Sequence, residues 1–162
     1  MTTTVTATRL LPFDRFDGGR AGERGYGGTR STGDCVPRAI AIATDQPYKQ
    51  VHQELRDRQY AAGMRRSVSN GTIDSVWQPY LRELGWTEHR CDVPKGHRPW
   101  LLAEEEWLPM DENVIVSIPR HLTTVMRGVL TDTYDPSKRG TAIVAAFWTG
   151  PWVGRFGQQV IG

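Results

Sequence analysis

The chain has 162 residues, 38% of them hydrophobic and 23% charged, proportions of one ordinary globular domain long enough to bury a core. Twenty Lys+Arg against 18 Asp+Glu leave a net charge of only +2, which argues against a nucleic-acid or anionic-membrane surface. Two cysteines, Cys35 and Cys91, argue against a disulfide scaffold, and without a bilayer-length apolar run or a secretion-type N-terminus the expected setting is the cytoplasm.

Residues 1–12 read as a weak edge strand through Thr2, Thr4, Val5 and Thr6, all tolerant of extended backbone. The segment that follows, to Gly33, is rich in Gly and Arg. Over residues 9–34 five arginines (Arg9, Arg15, Arg20, Arg24, Arg30) meet four acids (Asp14, Asp17, Glu23, Asp34). That small excess favours a flexible approach loop over an RNA-binding Arg-Gly segment. No internal repeat is visible, and residues 1–162 are read as a single domain in which 1–33 form an arm and loop.

Residues 33–43 put a cysteine where a loop becomes a helix. Asp34 can cap, Pro37 suits a first turn in which a missing N–H costs nothing, and Ala39, Ile40, Ala41, Ile42 and Ala43 are apolar nearly all round, as in a buried helix. At the N-terminus of such a helix Cys35 meets free backbone N–H groups and the positive end of the dipole. Both favour thiolate and lower the thiol pKa from about 8.5. The bland alternative is a small buried cysteine.

Tyr48, Val51, Leu55, Gln59 and Ala62 recur at helical spacing, giving a second, amphipathic helix in which His52 is structural or surface. Residues 63–71 form a loop. Thr72 then caps a third helix through Ile73, Val76, Trp77, Tyr80, Leu81 and Leu84, kinked at Pro79 and ended by Gly85. A strand over 86–93 brings His89 and Cys91 near His97, but that spacing matches no established zinc pattern and lacks a fourth ligand, so no metal is expected. Residues 99–109 are a short helix or turn with three glutamates on a solvated face.

Three β-rich runs follow, 113–118, 121–126 and 129–134, with Arg127-Gly128 as a two-residue hairpin turn. Facing residues then sum to about 255 or 256, and His121 lies opposite 134 or 135. Residues 137–140 turn, 141–148 read as a further strand, and the aromatic tail 150–157 is taken to cover the sheet.

The stretches Gly33 to Ala43 and His121 to Pro136 resemble the papain-like cysteine peptidase superfamily. The likeness is to small phage and bacterial members related to double-glycine leader peptidases, with a helix-starting Asp-Cys, a strand-opening His-Leu-Thr and a following Asp-Pro. The resemblance implies an α+β fold, N-terminal helices carrying the nucleophile packed on a C-terminal antiparallel sheet. It implies Cys35 as nucleophile, His121 as general base and Asp135 as the group orienting the imidazole; Asp132, on the opposite strand face from Asp135, is the alternative third member. It further implies hydrolysis of peptide, isopeptide or side-chain amide bonds in a protein or peptide substrate, with no cofactor, in a chain of phage type. Tyr134 and Trp148 are the expected groove neighbours.

The chain departs from that pattern before the cysteine, where the family carries Gln or Asn for the oxyanion. Here the candidates are the Cys35 N–H with Thr29, Ser31 or Thr32 as weaker second donors. This departure is the best sequence argument for a rival reading, a papain-like fold that only binds a peptide or partner protein.

Overall fold

A computed structural model of the chain describes residues 10–25, 33–97, 99–102 and 108–151. Among these residues there are three α-helices, α1 (Cys35–Thr44), α2 (Tyr48–Ala61) and α3 (Asp74–Glu83). Six strands make one sheet: β1 (Phe13–Arg15), β2 (Thr87–Arg90), β3 (Asn113–Ile118), β4 (His121–Met126), β5 (Val129–Asp132) and β6 (Ala146–Thr149). Their spatial order is β1-β5-β4-β3-β6-β2. The fold is α+β. The sheet is mixed rather than purely antiparallel, because β1 enters from ahead of the helices and pairs parallel with β5 at one edge, a pairing that needs a long crossover.

In α1, Pro37 lies in the first turn and every residue from Val36 to Ala43 is buried, Arg38 among them. Asp34 occupies the N-cap position, yet its side chain makes no capping bond. It is engaged instead by Arg20, Arg38 and Tyr48. Helix α2 buries Tyr48, Val51, Leu55 and Gln59 along the expected stripe, and His52 beside them. The N-cap of α3 is Ile73 rather than Thr72. The first turn draws its negative charge from Asp74, which suits the positive end of the dipole, and the helix runs on through Pro79.

The core has two parts, one on each face of the sheet. Strand β3 divides its side chains between them by simple alternation. Ile115 joins the helix-side cluster with Ile40, Val51, Leu55, Leu81 and Trp148. Val114, Val116 and Ile118 join the opposite cluster with Leu102, Val125 and Leu130. Trp148 is fully buried and meets Trp77 edge-on at 5.6 Å, so it is a core residue and lines no groove.

Several boundaries differ from the sequence reading. The first described strand is Phe13–Arg15; the strand expected through Thr2, Thr4, Val5 and Thr6 lies outside the described residues. The last strand is Ala146–Thr149; ahead of it, Ala142 and Val144 are held by single backbone bonds with Leu102 and Trp100, and Ile143 makes an isolated bridge with Leu101. The run 129–134 stops pairing as a strand at Asp132. The glutamates 104–106 and the tail 152–157 lie outside the described residues. Between β4 and β5, Arg127 (φ 46°) and Gly128 (φ 80°) both have positive φ, the conformation of the expected two-residue hairpin turn. Among the described residues no helix is long and apolar enough to cross a membrane.

Ile115 is fully buried on a central strand. Truncation to Ala there removes contacts from the helix-side core, and Ile115→Ala is expected to destabilise the fold by about 2–5 kcal/mol. The check is a fall in the urea midpoint with an unchanged m value.

Candidate active site

Helix α1 lies across the sheet's middle strands. The Thr124 hydroxyl on β4 donates to the Ala39 carbonyl of α1 at 2.9 Å, in a buried bond. This cross-tie brings the N-terminus of α1 to the beginning of β4, so Cys35 meets His121, the first residue of that strand. The loop before Cys35 is seated closely as well: a Cβ on Gly33 would lie 3.1 Å from the Asn70 carbonyl carbon, so only glycine fits without a backbone shift.

Cys35 lies against His121 and the Leu122 backbone, close enough for their hydrogen bonding to bear on its sulfur. Burial alone would push its thiol up, but those two bonds and the positive charges of His121 and Arg38 outweigh it, and the thiol lies below its ordinary value. His121 Nε2 is 2.7 Å from Asp132 Oδ2, so Nδ1 is the ring nitrogen not engaged by that carboxylate. Burial disfavours the imidazolium. The Asp132 hydrogen bond, the Cys35 hydrogen bond and the two negative charges prevail, and the His121 pKa rises to about 9. A lowered thiol beside a raised imidazole is the combination that favours a thiolate–imidazolium pair.

Asp132 is buried and has donors on both oxygens. Oδ2 accepts from His121 and from the Thr123 hydroxyl at 2.7 Å. Oδ1 accepts from Arg38 Nη2 at 3.2 Å and from the Thr133 N–H at 2.7 Å. Burial would raise this carboxyl, but the His121 and Thr123 bonds, with the charges of His121 and Arg38, hold it below the usual carboxylate range. Behind Arg38 stands Asp34, with no exposed surface, accepting from Arg38, from Arg20 Nη1 at 2.8 Å and from the Tyr48 hydroxyl at 2.9 Å. Its pKa is lowered too: the Arg38 charge and the Arg20 and Tyr48 bonds override burial.

Cys35 and His121 are thus brought together, and the carboxylate bonded to His121 is Asp132 rather than Asp135. Strands β4 and β5 pair Thr124 with Thr131 and Val125 with Leu130, so facing numbers sum to 255. Tyr134 then stands opposite His121, and Asp132, two residues earlier, shares its face and is reached diagonally. Asp135 falls beyond the end of β5, exposed, where its carboxylate accepts the Ser137 N–H at 2.9 Å and stabilises a turn. Tyr134 is half exposed beside the site, its ring 5.3 Å from that of His121 and its hydroxyl 3.5 Å from Nδ1. Thr29, Ser31 and Thr32 lie outside the described residues.

A cleft of about 550 Å³ opens next to the site, lined by Phe16, Asp17, Arg20, Arg38 and Tyr134 among others, a size suited to a ligand or a few side chains. A hollow of about 400 Å³ near Thr44, Glu112 and Arg127 contains none of the site residues. His89 stacks on Phe147 at 4.7 Å and its Nε2 meets the Thr149 hydroxyl at 2.8 Å, while Cys91 is buried in the core on the sheet's far face. Burial and Asp92 push the Cys91 thiol up. Among the described residues no three His, Cys, Asp or Glu side chains gather to hold a metal. Sequence reasoning missed Asp34, Arg38 and Thr123 as parts of the site. Arg38 did carry a signal, since an arginine inside an apolar helix has to find buried partners.

No family model, curated protein or solved structure matches this chain.

Two outcomes follow from this geometry. Asp132→Asn removes the charge that holds the His121 proton, so the His121 pKa should fall from about 9 and Cys35 alkylation at pH 7 should slow at least tenfold; Asp135→Asn should leave both unchanged. Alkylation rate against pH for the parent chain should show thiolate at Cys35 below the pH at which Cys91 reacts, with a second inflection near pH 9 as His121 loses its proton. Equal titration of the two cysteines contradicts the pairing.

Proposed function

We propose that this chain is a cysteine-dependent hydrolase of papain-like type, cutting a peptide, isopeptide or side-chain amide bond in a protein or peptide substrate. The observation that carries this reading is the adjacency of Cys35 to His121, with His121 bonded to Asp132 at 2.7 Å, at the head of a buried helix. It unites a nucleophile, its base and a group orienting the base, in the chain order Cys, His, Asp of the family the sequence resembles.

In the proposed reaction the Cys35 thiolate attacks the amide carbonyl carbon, and the carbonyl π pair moves onto oxygen. The Cys35 N–H, one of the first-turn donors without an acceptor inside its helix, stabilises that oxyanion, with Thr29, Ser31 or Thr32 as the candidates for a second donor. Collapse breaks the C–N bond as His121 gives its proton to the departing amine, leaving a Cys35 thioester. His121 then takes a proton from water as the water oxygen attacks the thioester, and the acid leaves with the thiolate restored. Asp132 keeps the ring oriented and its proton on the nitrogen between them. No cofactor enters this sequence, and the setting that accords with it is the cytoplasm, that of the host for a phage-encoded chain.

The binding-module reading keeps one observation in its favour, the lack of an amide side chain in residues 29–34. An activated acyl ester separates the two. Intact-mass analysis should show one acyl group, on Cys35, in a single turnover. Cys35→Ser should abolish it and His121→Ala slow it by about 10²–10⁴-fold. A Cys35 that alkylates readily but never acylates refutes the hydrolase and leaves the binding module.

A further inference from the structure

We propose that Arg38, anchored by Asp34, is a positioning residue that fixes the rotation of the Asp132 carboxylate so that one oxygen is presented to His121. The inference rests on the reading of Cys35, His121 and Asp132 as a working site.

Arg38 sits on α1 one turn beyond Cys35, its side chain only 6% exposed. One terminal nitrogen reaches Asp34 Oδ1 and the other reaches Asp132 Oδ1 at 3.2 Å. The guanidinium therefore spans two buried carboxylates, one preceding the nucleophile on its own segment and one at the end of β5, 94 residues further along the chain. A planar fork with two terminal amines can do this, whereas the single ammonium of lysine favours one carboxylate at a time. Arg38 and the Thr133 N–H together occupy Oδ1, leaving Oδ2 for His121 and Thr123. Asp34 is the anchor because Arg20 and Tyr48 hold it in turn, so Arg38 cannot swing toward it without giving up Asp132.

Two effects of Arg38 on His121 have opposite signs, which makes its role measurable. As a nearby cation it disfavours a second positive charge on the ring. As a holder of Asp132 it favours that charge by keeping the carboxylate oxygen in place. The charged and titratable groups facing the His121–Asp132 pair are Cys35 and Arg38 from α1 and Tyr134 from beyond β5, while Asp34, Arg20 and Tyr48 stand one layer behind Arg38.

The test follows the His121 ring by NMR across pH in the intact chain, in Arg38→Gln and in Arg38→Lys, each read below its melting temperature. Positioning requires the inflection, about 9 in the parent, to fall by a unit or more in Arg38→Gln, a tenfold weaker hold on the proton. In Arg38→Lys, where the charge is kept and the fork lost, it should fall by a smaller amount. A rise in Arg38→Gln, or no change in Arg38→Lys, overturns the inference. Should neither variant fold, the intact protein still decides: a bridging guanidinium gives separate, slowly exchanging Nη–H signals for Arg38, and a freely rotating averaged signal overturns the bridge. No substrate is used, so a chain that never acylates can still show the shift, and an acylating chain with an unshifted titration removes Arg38's role alone.

Discussion

Donors from four residues converge on the Asp132 carboxylate, and they come from three separate parts of the chain. His121 and Thr123 arrive on β4, Arg38 on α1, and the Thr133 N–H from the residue where β5 gives way to a turn. A buried carboxylate is tolerable only when it is paired and its oxygens are hydrogen-bonded. The relative placement of α1, β4 and β5 therefore cannot drift without leaving a charge in the interior, and breaking such a pair from one side typically costs about 3–5 kcal/mol. The Thr124–Ala39 tie and the β4–β5 pairing act on the same three elements.

Charge balance extends the constraint into the helical half. Arg38 lies between Asp132 and Asp34, and Asp34 also meets Arg20 from the Gly-rich segment ahead of α1. A buried ionic group of this kind is a weak source of net stability compared with apolar packing. What it supplies is discrimination: a helix that slid by one turn would keep its alanines and isoleucines buried, but Arg38 would lose both carboxylates. The apolar all-round character of α1 leaves its rotation poorly determined by hydrophobic contact, and the arginine supplies the missing definition.

Much of this was legible from residues alone, in the places where local chemistry decides. The Cys35 helix start, the apolar stripe of α2 and the Arg127-Gly128 turn depend on neighbours in sequence, and all three occur as expected. The third site residue did not follow, because facing sums of 255 and 256 fit the hairpin equally well on paper while selecting opposite strand faces. Strand β1 could not be seen either: its three residues are all exposed and its partner is β5, more than a hundred residues on, so no alternation marks it. Arg38 was overlooked because a tally of apolar positions treats one charge in a buried helix as noise, when its desolvation makes it the most demanding residue there.

Arg15 of β1 pairs in register with Asp132, and the next residue, Phe16, donates its backbone N–H to the Asp132 carbonyl at 2.9 Å. Asp132 is thereby held at its main chain by a segment preceding Cys35 and at its side chain by segments following it. In synthesis from the N-terminus, β1 precedes its partner β5 by more than a hundred residues, and α1 precedes His121 and Asp132. Only when the hairpin carrying His121 and Asp132 has been made can the edge strand dock. The long sequence separation that slows such a topology therefore also leaves the surroundings of Cys35 unfinished until β5 has been made.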